Sequence, residues 1–467
     1  MTQSQFNPSH LHRLVKLVMD TGEAATFEEA EGILREYKLS IQVSKNLMVS
    51  PAYQAALLTS VNTARRCFLG GVYVYGDLDV PLRISWKGYS TIADAVIDLQ
   101  GEIVEELDAT LPIISFTDKV LQDAPSGFGV RPIIRGWCGG VIPLRDQISY
   151  NVDEDFTPAG VLAGAIAVSE AFQFVRGDNP FVGNRPIGLS LWMPEQSNDW
   201  LTADQGSTLK SLPSKLWLIG LGHLGQAYLW TLGFLPYTME KYPTIVLQDI
   251  DVLEDANDST SLLTNRTMIG VKKTRAMANW CEQRGFHTDL IERKFAAGFT
   301  VHNDEPHLVL CGVDNAEARA DLQKVGFKRI IEAGLGKGTE GFLGFQLHTF
   351  PASRTAESYW TPKVKPDEDR KPNKGLDNII HQPAYQELQS KGLMDQCGLI
   401  NLAGRSVGAS FVGAITSTLV IGQVLRLVHG EKMNEIIDGD LRSSTILNTI
   451  IPNQIDLETF NPGIIRI

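Results

Sequence analysis

The sequence contains few cysteines, and their spacing excludes two structural roles. The 467 residues include five cysteines, with no C-x-x-C pair. This number is far below the cysteine density of small secreted domains. The pattern therefore excludes a disulfide framework and a cysteine zinc knuckle, and it predicts a reducing, cytoplasmic environment.

Long hydrophobic runs and excess positive charge are also missing. No stretch reaches the roughly 18 apolar residues of a membrane span, and the first residues contain no apolar core of a signal peptide. The chain carries 42 basic and 54 acidic residues, for a net charge of −12. We therefore expect a soluble protein without membrane or nucleic-acid partners. A hydrophobic content of 43% and this length predict two or three globular domains.

One stretch of the second half has the order of a dinucleotide-type βαβ unit. An apolar run at 216–219 leads into Gly220-x-Gly222-x-x-Gly225, and a second apolar run at 244–247 precedes Asp249. Gly220 permits a tight turn, Gly222 lets the backbone approach a phosphate, and Gly225 allows the helix to pack close to the strand. The start of the helix offers N–H groups to that phosphate, and Asp249 is placed to accept hydrogen bonds from ribose hydroxyls. The sequence therefore predicts a nucleotide site here.

The rest of the chain is predicted to be α/β in two related halves. Residues 1–66 carry helical spacing, with Thr26 as an N-cap and Ser50-Pro51 opening a third helix. Strand-like runs and a helix at 92–107 follow within residues 67–205. Residues 206–467 form a further α/β unit after a turn-rich linker. The apolar helices predicted at 160–177 and 413–430 have equal length, with glycine at both ends, and they indicate a duplication.

Strands are expected at several apolar runs, and one long connection separates the last of them from the repeated helix. The connection spans about 351–412 and is rich in charged residues and proline, so we expect a solvated crossover. The predicted strands are 71–75, 112–116, 131–135, 216–219, 244–247, 308–312, 329–332 and the alternating run 341–348.

Two further residues suit a triphosphate better than a nicotinamide cofactor. Asp314 follows the strand at 308–312, at the sheet edge where ligands of doubly wound folds bind. Its carboxylate is a suitable Mg²⁺ ligand, and Lys273 is suited to neutralise charge developing on a phosphate.

This constellation resembles the ubiquitin-activating, ThiF/MoeB-like adenylyltransferase superfamily over residues 210–430. The resemblance implies that Asp249 and Asp251 contact the ribose and nucleotide site, Asn257 and Lys273 the phosphates, and Asp314 the magnesium. It implies two Rossmann-like adenylation-type halves forming a pseudo-dimer, the first degenerate and the second active. The matching positions are Gly220, Gly222, Gly225, Asp249, Asp251, Asn257, Gly270, Lys273, Asp314, Asn315 and the segment beginning at Cys397.

The sequence departs from the family where a phosphate-binding arginine is expected. Thr260 stands three residues after Asn257, in the place where the family usually has arginine. Arg266 is one candidate substitute. Arg65 and Arg66, from the first half, are candidates for the arginine that in the family crosses a dimer to the γ-phosphate. The paired C-x-x-C zinc site of the family is absent, so zinc is not implied.

Cys397 is the candidate nucleophile. It lies in the later part of the crossover, before a glycine-rich approach to the repeated helix, where N–H groups and a helix dipole would lower a thiol pKa. The alternative is a structural role, because free cysteines are commonly buried as small hydrophobic residues. Cys138, Cys281 and Cys311 are predicted to be structural.

The predicted function is ATP- and Mg²⁺-dependent adenylation of the C-terminal carboxylate of a ubiquitin-like protein. By resemblance, Cys397 then accepts the acyl group as a thioester and passes it to a conjugating-type partner. Similar proteins occur in bacterial ubiquitin-like conjugation operons, including antiphage ones. Two alternatives stay open: an NAD-dependent oxidoreductase, and a non-catalytic adenylation-like scaffold. The oligomeric state beyond the internal pseudo-dimer is also open.

Overall fold

Two seven-stranded sheets form the framework of the protein. The structure is a computed structural model, and it describes residues 7–86, 88–119, 124–148, 155–238, 241–361, 374–443, 452–453 and 463–467. The charged part of the predicted crossover, 362–373, lies outside these residues.

The first sheet has the strand order β3-β2-β1-β4-β5-β6-β7. Neighbouring strands are parallel from β3 to β5, and the last two pairings are antiparallel. The strands are β1 (Lys38–Val43), β2 (Gly71–Gly76), β3 (Glu102–Val104), β4 (Ile113–Phe116), β5 (Gly129–Arg135), β6 (Cys138–Pro143) and β7 (Ile187–Ser190).

The helices of this part are capped largely as the sequence predicts. Thr26 accepts a hydrogen bond from the N–H of Glu29, and Ser50 accepts one from Tyr53 ahead of Pro51. Gly177 ends the first repeated helix in a left-handed conformation, at φ +70°. The helices are α1 (Arg13–Asp20), α2 (Phe27–Arg35), α3 (Pro51–Ala64), α4 (Ile92–Asp98) and α5 (Thr157–Arg176), with 3₁₀ turns at Pro8–His10, Leu47–Val49 and Pro194–Asp199.

Two sequence predictions for this part are wrong in detail. The predicted helix over 92–107 ends at Asp98, and its second half contains the edge strand β3. The segment 1–66, read as helical, contains β1, which lies between β2 and β4 in the sheet. Both strands are short, and β1 (KLSIQV) alternates too weakly for its period to stand out beside the helical stripes.

The second sheet repeats the arrangement of the first, in the order β11-β10-β9-β12-β13-β14-β16. Its pairings are again parallel from β11 to β13 and antiparallel for the last two. The strands of the second part are β8 (Ser211–Pro213), β9 (Lys215–Ile219), β10 (Thr244–Gln248), β11 (His287–Ile291), β12 (Leu308–Cys311), β13 (Arg329–Leu335), β14 (Gly344–Phe350), β15 (Met433–Asn434), β16 (Ile436–Asp440), β17 (Pro452–Asn453) and β18 (Ile464–Arg466).

In the second part, α6 follows β9, α7 and α8 follow β10, α9 follows β12 and α10 follows β13, whereas β11 leads to β12 without a helix. In the described residues of the crossover, helices α11 to α14 precede the long helix α15. The helices are α6 (His223–Gly233), α7 (Asp255–Asp258), α8 (Lys273–Glu282), α9 (Ala316–Asp321), α10 (Gly338–Gly341), α11 (Ala356–Trp360), α12 (Lys374–Ile380), α13 (Pro383–Ser390), α14 (Gln396–Gly404) and α15 (Ser410–Val428), with 3₁₀ turns at Arg266–Met268 and Leu322–Val325.

The repeated helices occupy corresponding places and join the two halves. Along the chain, each helix comes between the last two strands of its sheet: α5 between β6 and β7, and α15 between β14 and β16. Helix α15 packs against α6 of its own half and α5 of the other, while α5 packs against α3. Both are long and apolar enough to cross a membrane, but 89% and 100% of their apolar windows are buried inside the protein, as in core helices. The two halves thus share one core, as a pseudo-dimer.

Candidate active site

A cavity of about 1110 Å³ opens at the carboxyl edge of the second sheet. Its walls come from the ends of β9, β10, β12 and β13, from β14 and β16, and from the segment 406–408 that ends the crossover. Arg13 is the contribution from outside the second half. Because the carboxyl ends of parallel strands meet at this edge, the residues that follow them converge.

The glycine turn between β9 and α6 forms one wall of the cavity. Gly220 has φ +85°, a conformation that side chains disfavour. A Cβ on Gly222 would meet no heavy atom within 4 Å, so that its backbone stays open to the cavity. A Cβ on Gly225 would lie 2.0 Å from the carbonyl oxygen of Gly220, and this glycine does not line the cavity. Gly225 therefore serves close packing of helix on turn.

Asp249 holds this turn from the neighbouring strand. Its Oδ2 accepts a hydrogen bond of 2.7 Å from the N–H of Leu221, and its Oδ1 accepts one of 2.9 Å from Asp251. The carboxylate therefore lies at the cavity wall and fixes the turn at the same time. The sequence predicted its place in the cavity but not this bracing of the turn.

Lys273 and Asp251 form an ion pair at the cavity wall. The Nζ of Lys273 lies 3.0 Å from the Oδ2 of Asp251, and the Lys273 side chain is largely buried while that of Asp251 is exposed. The Lys273 N–H also donates to the Asp251 carbonyl oxygen at 3.0 Å. An incoming phosphate would compete with Asp251 for a lysine that is already aimed into the cavity.

Asn257 and Thr260 line the cavity, whereas Arg266 does not. The Oδ1 of Asn257 accepts a hydrogen bond of 2.8 Å from Glu254, which closes the first turn of α7. Arg266 is exposed in a 3₁₀ turn. The structure therefore does not bring the candidate Arg266 together with the other predicted residues.

Arg13 supplies a guanidinium to the cavity, and the sequence analysis missed it. Its N–H donates to the Oγ of Ser259 at 3.3 Å, and its Nη1 donates to the carbonyl oxygen of Ser406 at 3.3 Å. Burial and the nearby Arg405 lower the pKa of Arg13, while Glu254 and, to a smaller extent, Asp314 partly offset them. Arg13, at the start of α1, and Thr260 therefore line the same cavity. The sequence shows Arg13 as a basic residue at the start of an amphipathic helix, but it does not show that Ser259 and Ser406 are its partners.

Arg65 and Arg66 brace a loop and do not line the cavity. The Nη2 of Arg65 lies 2.8 Å from the Oδ1 of Asp258. Arg66 is almost fully buried and donates to the carbonyl oxygens of Ser261 and Thr264 at 3.0 and 2.9 Å. Burial raises the pKa of Asp258, but Arg65 and Arg66 lower it further, so that the net shift is downward. The two arginines fix the segment after Asn257.

Asp314 is exposed at the cavity wall, where its carboxylate is accessible to a ligand in the cavity. It follows β12 and precedes Asn315, which caps α9 by accepting a hydrogen bond from Ala318 at 3.1 Å. The donor set fits Mg²⁺ bound to a triphosphate, because such ions take one or two carboxylates together with phosphate oxygens. No group of three or more His, Cys, Asp or Glu side chains suited to hold a metal alone occurs in the described ranges.

His223 opens α6 within the glycine turn and lines the cavity. Burial lowers the pKa of His223 to about 4, so the ring is neutral at pH 7. A Cβ on Gly413 would lie 2.4 Å from the His223 ring, which shows how closely α15 approaches the turn. We assign His223 a packing role.

Cys397 lies in the first turn of α14, and it is the exposed member of the five cysteines. The side chain of Asp395 caps this helix by accepting a hydrogen bond of 2.7 Å from Gly398. The thiol does not line the cavity. Cys138, Cys281 and Cys311 are buried, as predicted, and so is Cys67.

Comparison with known proteins identifies the family. The family model of the BilD N-terminal domain matches residues 38–191, and the family model of the BilD C-terminal domain matches residues 212–431. The bacterial E1-like protein BilD of Collimonas sp. (strain OK412) is 40% identical over 430 residues, which cover 92% of this chain and 91% of that protein. The chain belongs to the BilD family of bacterial E1-like proteins. This confirms the resemblance to E1-like adenylyltransferases that the motifs indicated.

Three solved structures show remote similarity to the chain. Escherichia coli MccB, crystallised with MccA-N7isoASN, is 14% identical with a TM-score of 0.34, over 70% of this chain and 94% of MccB. PaaA is 14% identical with a TM-score of 0.31, over 51% of this chain and 64% of PaaA. E. coli TcdA, a tRNA N6-threonylcarbamoyladenosine dehydratase in complex with AMP, is 14% identical with a TM-score of 0.27, over 46% of this chain and 85% of TcdA. The family assignment rests on the BilD relative and on the matches to the two domain family models.

Proposed function

We propose that this protein uses MgATP to adenylate the C-terminal carboxylate of a ubiquitin-like protein and then takes the acyl group onto Cys397. The observation that supports the first step is the convergence of the glycine turn, Lys273, Asp314 and Arg13 on one cavity. Family membership supports the same class of reaction. The site of action proposed from the composition is the cytoplasm.

In the first step, an oxygen of the substrate carboxylate attacks the α-phosphorus of ATP. The bond from that phosphorus to the bridging oxygen breaks, and pyrophosphate leaves. Lys273 and Arg13 neutralise the charge that develops on the phosphates, and the open N–H groups at Gly222 receive phosphate oxygens. Mg²⁺, held through Asp314, supplies further charge neutralisation when bound. The product is an acyl-adenylate.

In the second step, the Cys397 thiolate attacks the carbonyl carbon of the adenylate, and AMP leaves. A thioester forms, and a conjugating-type partner then receives the acyl group by thiol exchange. Exposure of Cys397 outside the cavity supports this order, because an acceptor must meet both the adenylate and a second protein. The step requires α14 and the cavity to approach each other, since the thiol does not line the cavity.

Pyrophosphate exchange tests the first step. The protein is mixed with ATP, labelled pyrophosphate and a ubiquitin-like protein of the β-grasp type that ends in glycine. We expect exchange that depends on that protein and on Mg²⁺. Saturable binding of NADH without any binding of ATP would overturn the proposal in favour of an oxidoreductase, and ATP binding without exchange would favour a scaffold.

Substitution of the cysteine tests the second step. Cys397→Ser should retain exchange and lose the thiol-sensitive conjugate on denaturing gels without reductant. Gln396→Ser is the matched control, because Gln396 is exposed in the same helical turn, and it should retain both. A thiol-sensitive conjugate that persists in Cys397→Ser would assign the acceptor elsewhere.

A further inference from the structure

A buried chain of polar side chains runs beside the loop that carries Asp314. The Nη1 of Arg319 lies 3.1 Å from the Oε1 of Glu332, and the Oε2 of Glu332 lies 2.9 Å from the Nδ1 of His348. Glu332 is 0% exposed, His348 2% and Arg319 8%. The chain joins α9, β13 and β14. Glu332 and His348 face each other as a cross-strand pair in the antiparallel ladder.

Such a chain is not required for packing. Burying a carboxylate and a guanidinium costs several kcal/mol in solvation, and apolar side chains of similar volume are often as stable or more stable. The backbone nevertheless makes room for it: a Cβ on Gly334 would lie 2.8 Å from the Nη1 of Arg319. The chain therefore calls for a role other than stability.

Arg319 connects this chain to the loop before Asp314. Its Nε donates a hydrogen bond of 2.7 Å to the carbonyl oxygen of Val313, the residue preceding Asp314. Its Cζ lies 4.5 Å from the ring centroid of Trp360, in the first helix of the crossover. Arg319, His348 and Trp360 all line the cavity. The guanidinium thus binds the loop through Nε and forms an ion pair with Glu332 through Nη1.

We propose that Arg319 is a positioning residue for Asp314, oriented by Glu332 and His348, and that binding of a divalent cation with ATP depends on it. This inference rests on the proposed function, because it assumes that Asp314 receives the cation. The recognised ligand is a divalent cation bound to a nucleoside triphosphate. Arg319 itself acts through the Val313 carbonyl, without taking part in the chemistry.

Arg319→Lys separates charge from loop anchoring. Lysine keeps a cation beside Glu332, but it has no second donor fixed in the guanidinium plane for the Val313 carbonyl oxygen. Arg329→Lys is the matched control, because Arg329 is 6% exposed on the same strand as Glu332 and does not line the cavity. Binding of Mn²⁺ in the presence of ATP, followed by water-proton relaxation, gives a readout that does not need turnover.

We expect Arg319→Lys to weaken Mn²⁺ binding about 10- to 100-fold, the range seen when groups that orient metal ligands are altered. The Mg²⁺ concentration for half-maximal pyrophosphate exchange should rise in parallel, with the KM for the ubiquitin-like protein unchanged. Arg329→Lys should change neither. In an Asp314→Asn background, Arg319→Lys should add little, because both changes act on one ligand. Equal Mn²⁺ affinity in wild type and Arg319→Lys would overturn the inference.

Two further measurements keep the outcomes distinct. If Arg319→Lys does not fold, His348→Gln removes the far end of the chain and should raise the same Mn²⁺ dissociation constant by a smaller factor; an unchanged constant would overturn the inference. If wild type binds Mn²⁺ with ATP but shows no exchange, the proposed function fails while the positioning role is still measured. If wild type shows exchange and Arg319→Lys behaves as Arg329→Lys does, the inference alone fails.

Discussion

The two halves of the protein have the same sheet topology. They differ in the connection that follows the first strand of each seven-stranded sheet, β1 in the first half and β9 in the second. In the second half, β9 ends at Ile219, and the glycine turn leads at once into α6 at His223. In the first half, β1 ends at Val43, and a longer connection without glycine reaches α3 at Pro51. The cavity is lined by residues of the second half together with Arg13. The glycine turn is therefore the local difference that opens the backbone of the second half to the cavity.

The first half lacks the glycine turn, but it has acidic residues at the place that corresponds to Asp249 and Asp251. Asp77 and Asp79 follow β2, just as Asp249 and Asp251 follow β10. Asp77 and Asp79 are exposed, whereas Asp249 accepts a hydrogen bond from the glycine turn. The acids at the two strand ends therefore differ in their contacts, since Asp249 braces a glycine turn that the first half lacks.

The first half has a structural role in the site of the second. The arginines at the end of α3 bind the segment after Asn257, as described above, and the Nδ2 of Asn62 donates to the Leu262 carbonyl oxygen at 3.1 Å. The Nε1 of Trp230 donates to the Oγ1 of Thr59 at 3.0 Å across the interface. A half without its own glycine turn thus positions loops of the other half.

Substitution of the aspartates that follow β12 and β4 should give the largest difference in pyrophosphate exchange between the two halves. Asp314 follows β12 and Asp118 follows β4, and both are exposed. Asp314→Asn should reduce pyrophosphate exchange by about 100-fold or more, because a charge-stabilising group at the reacting phosphates is lost. Asp118→Asn should leave exchange unchanged. Equal losses in the two variants would mean that both halves bind nucleotide.

Substitution of one buried glutamine in each half should lower the free energy of unfolding by a similar, smaller amount. Gln54 in α3 donates to the Met48 carbonyl oxygen at 2.8 Å, and Gln226 in α6 donates to the Leu221 carbonyl oxygen at 3.2 Å. Both are fully buried and hold the connection before their helix. Gln54→Leu and Gln226→Leu should each lower the free energy of unfolding by about 1–3 kcal/mol in urea, because buried backbone groups lose their partners.

The two glutamine variants should differ in nucleotide affinity. Gln226→Leu loosens the glycine turn and should weaken ATP binding in calorimetry, whereas Gln54→Leu should not. An equal loss of ATP affinity in Gln54→Leu would contradict the assignment of the site to one half.

The pH dependence of stability should give the smallest effect. The pKa of His223 is about 4 in the folded protein because the ring is buried, against an ordinary value of 6.5. The unfolded chain therefore binds more protons between these values, and stability falls as the pH is lowered from 6.5 towards 4. His223→Gln should remove about 1–2 kcal/mol of the loss between pH 7 and 5, as measured by unfolding at each pH. Pro51→Ala, at the corresponding helix start of the first half, should leave the loss unchanged.

The sequence alone determined the nucleotide-type βαβ unit, the duplication and the family. These rest on local signals: glycines whose conformations side chains disfavour, acids at strand ends, and two apolar helices of equal length. Such signals are carried by neighbours in the chain, and the structure places Gly220, Gly222, Asp249 and Asp314 together as that pattern required.

The tertiary structure alone decided which distant residues complete the site. Arg13 reaches the cavity because α1 packs across the second half, and Arg65 and Arg66 are drawn instead to Asp258 and nearby carbonyl oxygens. The chain from Arg319 to His348 exists because β13 and β14 pair in one register. Contacts between residues far apart in the chain depend on how helices and strands pack, and no local pattern of charge or spacing records that packing.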